Sequence, residues 1–182
     1  MKTATRSLLL ALATLAIATP PSVLAERTDQ GTVEIGGNFF YDTDTPAGGS
    51  LDLGLVGGYY VLDEVLVGGE FRFSDDDYGS VFGLSLLMER SFELGDADTV
   101  SPFIPYIGGS IGYFDADYKV DDGSSAGLVF GIRGGAKLML TGSIAIDFSV
   151  HADFATGDVF YDDDGPSKND ITFRIGLRTF LF

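Results

Sequence analysis

From residue 31 to the end of the chain, apolar and polar positions alternate. Residues 169–182 (NDITFRIGLRTFLF) show it most fully. Ile171, Phe173, Ile175, Leu177 and Leu181 share one parity, and Thr172, Arg174, Gly176 and Arg178 share the other. A period of two over this length predicts a β-strand with one apolar and one polar face. Seven earlier segments repeat the pattern, at residues 31–41, 50–60, 64–74, 80–92, 102–114, 125–137 and 143–154. In the fourth, Phe82, Leu84, Leu86 and Met88 oppose Gly83, Ser85 and Glu89. In the seventh, Ile144, Ile146, Phe148, Val150 and Phe154 oppose Asp147, Ser149, His151 and Asp153. Pro105 is the oddity, because proline cannot donate to a ladder and belongs near a strand end or edge.

The connections are of two kinds. Those after the odd-numbered segments (42–49, 75–79, 115–124 and 155–168) are rich in Asp, among them Asp42, Asp44, Asp75, Asp76, Asp77, Asp115, Asp117, Asp121, Asp122, Asp158, Asp162, Asp163 and Asp164. Those after the even-numbered segments (61–63, 95–101 and 141–142) are mostly shorter and less charged. Asp, Pro and Gly favour turns in both. Eight strands joined this way predict an all-β, eight-stranded antiparallel up-and-down barrel with both chain ends on one side. Segments of about ten residues suit a tilted strand that crosses a bilayer.

The first residues change the picture. Lys2 and Arg6 precede an apolar run over residues 8–18, and Val23, Leu24 and Ala25 place small side chains at a cleavage site before Glu26. This reads as a secretory signal peptide, too short to anchor the chain as a membrane helix. The domain division is therefore a cleaved leader at 1–25 and a barrel domain at 26–182. After the leader no run of roughly 18 apolar residues follows, so a membrane would have to be crossed by strands.

Composition excludes several classes. The 182 residues carry a net charge of −16, and without Lys2 and Arg6 nine bases face 27 acids for a net of −18. Nucleic acid is excluded as a partner, since phosphate binding needs a basic footprint. The absence of cysteine rules out disulfides, thiolate metal sites, a Cys nucleophile and a lipid anchor on Cys. The glycines of residues 108–112 are not a phosphate loop, since neither a helix nor a Lys follows them.

The leader, the eight strands, PYIGGSIGY (105–113), GIRGGAKLML (131–140) and IGLRTFLF (175–182) together resemble small OmpA/OmpX-like outer-membrane β-barrel proteins. The resemblance spans essentially the whole chain after the leader. It implies a monomer in the cell outer membrane, in contact with membrane lipid and lipopolysaccharide, with the acidic connections outside. It also implies that the C-terminal strand, with Phe180 and Phe182, is the insertion signal read by the barrel-assembly machinery.

In such a barrel the apolar parity faces lipid and the charged parity faces the lumen. The predicted inward set is Glu34, Asp52, Glu70, Arg72, Glu89, Arg133, Lys137, Asp147, Asp153, Arg174 and Arg178. Eight strands leave a lumen that side chains can fill, and charges buried there must pair. The expectation is a lumen plugged by ion pairs and a structural or surface-interaction role, with no catalytic residue, metal or cofactor. Transient opening of the pairs would give a narrow porin-like ion channel instead. His151, on the inward parity near the outer rim with Ser149 and Asp153, is the one candidate for lipid A-modifying chemistry. The acidic connections are solvated surface or contacts for divalent cations. No EF-hand spacing occurs, because Lys119 follows Asp115 and Asp117 where an acid or amide belongs. The opposite parity assignment, apolar side inward, would make a periplasmic lipocalin-like barrel.

Overall fold

The computed structural model describes residues 28–45, 48–76, 79–92, 94, 102–119, 123–162 and 165–182. The predicted leader lies outside the described residues, as do Asp77, Asp121, Asp122, Asp163, Asp164 and the connection at 95–101. The strands are β1 (Val33–Thr45), β2 (Gly48–Leu62), β3 (Val65–Asp75), β4 (Gly79–Ser91), β5 (Phe103–Tyr118), β6 (Gly123–Met139), β7 (Ile144–Ala155), β8 (Phe160–Asp162), β9 (Gly165–Ser167) and β10 (Asn169–Leu181). Eight of them close into an antiparallel barrel in which each pairs with its chain neighbour, and β10 closes the ring between β7 and β1. The short β8–β9 hairpin stands apart, within the connection from β7 to β10.

The alternation fixes which face looks where. Outward positions carry Ile35, Phe39, Leu84, Leu86, Met88, Ile107, Ile132, Phe148 and Ile175, all exposed, and Phe173 is 82% exposed. Inward positions carry the charges, all buried or half-buried. An apolar exterior around a charged interior is the membrane arrangement and the reverse of the lipocalin-like one. On β4 the outward stripe of Phe82, Leu84, Leu86 and Met88 ends at Arg90, which faces Glu64 at 3.8 Å and stacks over the Phe92 ring at 5.8 Å. On β5 it ends at the other side with exposed Asp115 and Asp117, beyond Tyr113. Arg90 pairs with Ile107 and Asp115 with Phe82, so eight residues of strand separate these limits. They span ~27 Å, or ~21 Å along the axis at a tilt of ~40°, near the apolar height of outer-membrane barrels.

Four connections differ from the sequence reading. The acidic stretches at 42–49 and 115–124 are largely strand, because Asp42 pairs with Ser50, Thr45 with Gly48, Asp117 with Ser124 and Tyr118 with Gly123. Turn-favouring residues there lie beyond the apolar band, where water satisfies both faces of a hairpin. The turn expected at 61–63 falls at Asp63 and Glu64, since Glu64 takes a left-handed φ of 64° and cannot continue a strand. Its N–H donates to Thr28 O at 2.7 Å and its carbonyl accepts from Ser91 N at 2.8 Å, which clasps the turn. The 155–168 connection, expected as a loop, contains the β8–β9 hairpin. Pro105 sits where its missing donor is harmless. The β4 ladder stops at the pairing of Ser91 with Tyr106, and Pro105 only accepts there, from Phe92 N at 2.8 Å.

Candidate functional site

The lumen is filled in three layers. At the end that holds the chain termini, inward Tyr60, Leu66, Leu87, Ile104, Met139 and Phe180 form an apolar floor. Above it the charges on β1, β3, β4, β6, β7 and β10 form one unbroken chain of ion pairs. Asp147 binds Arg178 at 2.6 Å, Arg178 binds Glu34 at 3.1 Å, and Glu34 binds Lys137 at 2.7 Å. Lys137 then binds Glu89 at 3.4 Å and Glu89 binds Arg133 at 3.5 Å. Arg133 pairs closely with Glu70, which also binds Arg174 at 2.6 Å. A second group lies outward of this, where Arg72 contacts Asp52 at 3.8 Å, Asp153 at 3.4 Å and Asp170 at 3.0 Å. Each is held on a strand face, so its position follows from backbone register and not from a loop.

The two groups take in all eleven charged residues predicted to face inward, together with Asp170. The predicted set leaves out four residues that join them, although all four lie on the inward parity of their strands. Asp170 shares the parity of Arg174 and could have been read as part of that strand face. Tyr60 donates to Glu34 at 2.8 Å, Tyr106 donates to Asp147 at 2.9 Å, and Asn38 donates to Asp52 at 3.1 Å. The sequence signal for both tyrosines was inward parity near the floor, where a phenol offers an apolar ring and one donor. Glycine makes room for the charges. A Cβ on Gly36 would strike Arg178, and one on Gly108 would meet Met88 O at 2.6 Å and Glu89 Cγ at 2.9 Å.

His151 is not at the outer rim. It is buried beneath the Arg72 group, with Nε2 3.2 Å from Ser149 Oγ, beside a cavity that Arg133, Arg174 and Glu70 also line. That cavity holds about 20 Å³, room for about one water. The Asp153 carboxylate, two residues on, is engaged by Arg72. Ser149, His151 and Asp153 are thus brought to one face without a shared reaction space. Among the described residues no group of three or more His, Asp or Glu is placed to hold a metal.

Phe180 and Phe182 separate. Phe180 is buried in the floor, and Phe182 is exposed just past β10. The outer mouth carries a further apolar layer. Residues 156–160 fold over one side of it and bury Val159 and Phe160 against Phe114, Ala116 and Val129. Phe160 meets Phe114 edge-on with centroids 5.9 Å apart, and Tyr118 donates closely to Asp158 O. Among the described residues, the other side of the mouth forms a vestibule of about 300 Å³.

The family described as outer membrane protein beta-barrel domain matches residues 7–178. Among solved structures, the chain is similar to the N-terminal β-barrel domain of Pseudomonas aeruginosa OprF, with a TM-score of 0.59 at 18% identity, over 84% of this chain and 98% of that one. It is also similar to Neisserial surface protein A, with a TM-score of 0.58 at 12% identity, over 81% of this chain and 95% of that one. At these identities the likeness is one of fold. No curated protein matches the chain.

Proposed function

This chain belongs to the outer membrane protein beta-barrel domain family and resides in the cell outer membrane, and we propose that it is a non-catalytic barrel with a sealed lumen and a structural, surface-presenting role. The observation that carries this reading is the unbroken run of ion pairs from Asp147 to Arg174, set on an apolar floor. Passage would have to break several charge pairs at once and then cross the ring of Tyr60, Leu66, Leu87 and Phe180. Losing one partner of a buried pair costs about 3–5 kcal/mol, so spontaneous opening is rare. Room for about one water at mid-lumen supports the same view.

His151 serves the packing of the lumen in this reading, because Ser149 is its partner and a substrate has no space beside it. The exposed carboxylates of Asp115 and Asp117 stand just beyond the apolar band and form an acidic collar for the lipopolysaccharide headgroups and their divalent cations. Recognition by the assembly machinery would precede closure, since Phe180 is buried once the barrel has formed.

The test is single-channel recording of the purified, refolded protein in planar lipid bilayers. The expected trace stays at the bilayer baseline in the native protein. A steady, ohmic conductance from correctly folded native protein would overturn the sealed barrel in favour of a narrow channel.

A further inference from the structure

The seam that closes the barrel is only half zipped. β1 and β10 share six ladder pairs, from Val33 opposite Leu181 to Asn38 opposite Gly176, and there their ladder ends. Both strands run on for seven residues toward the outer mouth, β1 to Thr45 and β10 from Asn169. Each keeps eleven pairs with its other neighbour, β2 for β1 and β7 for β10. The two are therefore formed strands that part from each other. On β10, Phe180 N donates to Ser143 O on the β7 side at 2.9 Å, so the odd-numbered residues turn their backbone groups toward β1. Ile171 and Phe173 have no ladder partner there. The parting lies at bilayer depth, since Phe39, Ile171, Phe173 and Ile175 beside it are exposed and apolar. An open sheet edge is tolerated at that depth only where it lines water. The vestibule supplies it, because Asp170 and Thr172 of the parted half of β10 belong to its lining.

We propose that the outer half of the β1–β10 seam is a lateral gate, which closes by zipping in its existing register and opens to join the vestibule to the outer leaflet. Continued without a shift, that register sets Phe39 opposite Ile175, Tyr41 opposite Phe173 and Thr43 opposite Ile171. Closure thus needs no slip of either strand. The hinge is at Gly37 and Gly176, where the ladder ends and a Cβ on Gly176 would meet Gly37 O at 2.7 Å. Glycine lets the two backbones touch there and diverge beyond. The open arrangement has its own ties. Arg174 and Asp170, on the parted half of β10, bind Glu70 at 2.6 Å and Arg72 at 3.0 Å, both on β3 across the lumen. Asn38, the last paired residue of β1, donates to Asp52 of β2 at 3.1 Å. The apolar floor and the ion pairs from Asp147 to Arg133 contain no residue of the parted halves. The gate therefore changes the wall of the vestibule and leaves the plug beneath it in place.

The chain has no cysteine, so the seam can be tested by disulfide formation with copper phenanthroline in lipid vesicles. Three double variants of the full barrel are compared, with folding of each checked by its unboiled gel mobility. The first, Tyr41→Cys with Phe173→Cys, reports closure. Partners in a hydrogen-bonded pair have Cα atoms about 5.5 Å apart, within disulfide reach. The second, Ile35→Cys with Thr179→Cys, joins residues already paired and gives the rate for a zipped seam. The third, Tyr41→Cys with Ile175→Cys, tests the register, since diagonal neighbours lie about 7–8 Å apart, beyond that reach. The first is expected to cross-link in full but at least about tenfold more slowly than the second, as a minor closed state is drawn off. The third is expected to lag the first by at least about tenfold. A first variant as fast as the second means a seam zipped throughout, and one that never cross-links means a fixed slot. Either result overturns the gate. A third variant as fast as the first overturns it too, because loose edges without a register would suffice. If the barrel conducts in planar bilayers while the seam behaves as expected, only the sealed-lumen reading falls.

Discussion

Lys137 shows at the scale of one residue what the barrel demands of its interior. Its side chain is fully buried, with Nζ 2.7 Å from Glu34 and 3.4 Å from Glu89. The ammonium also lies 4.8 Å from the centroid of the Tyr106 ring and 5.9 Å from that of Phe180. Lys137→Met would strand two carboxylates around an apolar group. The expected loss is about 3–5 kcal/mol of folding free energy, read from urea unfolding in micelles. Adding Glu89→Gln should restore part of it, because Glu34 keeps Arg178 and Arg133 keeps Glu70. A double variant no more stable than the single one would count against charge pairing as the reason Lys137 is there. Alternation in the sequence was enough to put Lys137 and the other charges on one parity. It could not say which charge meets which, because Glu70 and Arg174 are 104 residues apart and meet only through the closed ring.

At the scale of elements, the strands were legible and their outer ends were not. Within the apolar band the period of two is enforced by lipid on one side and the lumen on the other. Beyond it no burial distinguishes the faces, so Asp42 and Asp117 read as punctuation although both sit in ladders. The segment after β7 was obscured for a different reason. Val159 and Phe160 are two apolar residues among acids and glycines, with no period to reveal that they turn inward onto Phe114. Their burial makes a measurable claim, and the absence of native cysteine makes it simple to test. A thiol introduced as Val159→Cys should react with a water-soluble maleimide at least about tenfold more slowly than one introduced as Thr156→Cys, which is exposed. Similar rates would mean that residues 156–160 do not cap the mouth in solution.

For the whole molecule, the decisive property is the position of the lipid slab, because it sets which surface is exterior and where the acidic collar begins. Arg90 marks one limit and Asp115 the other, and Leu86 lies between them on the outward stripe of β4. Leu140 is also exposed and apolar, but it lies in the turn between β6 and β7, at the end that holds the termini. A soluble barrel would treat the two alike, since both leucines face outward. In a bilayer the cost of an arginine depends on depth, about 2–4 kcal/mol at the midplane and about 0–1 kcal/mol near the interface. Leu86→Arg is therefore expected to lower folding free energy in lipid vesicles by about 2–4 kcal/mol, and Leu140→Arg by no more than about 1 kcal/mol. The reverse order would shift the slab toward the termini and draw Arg90 into it. The expected order fixes the collar of Asp115 and Asp117 at the headgroups, where the same carboxylates that would be prohibitive one turn of the ladder lower can meet cations and water.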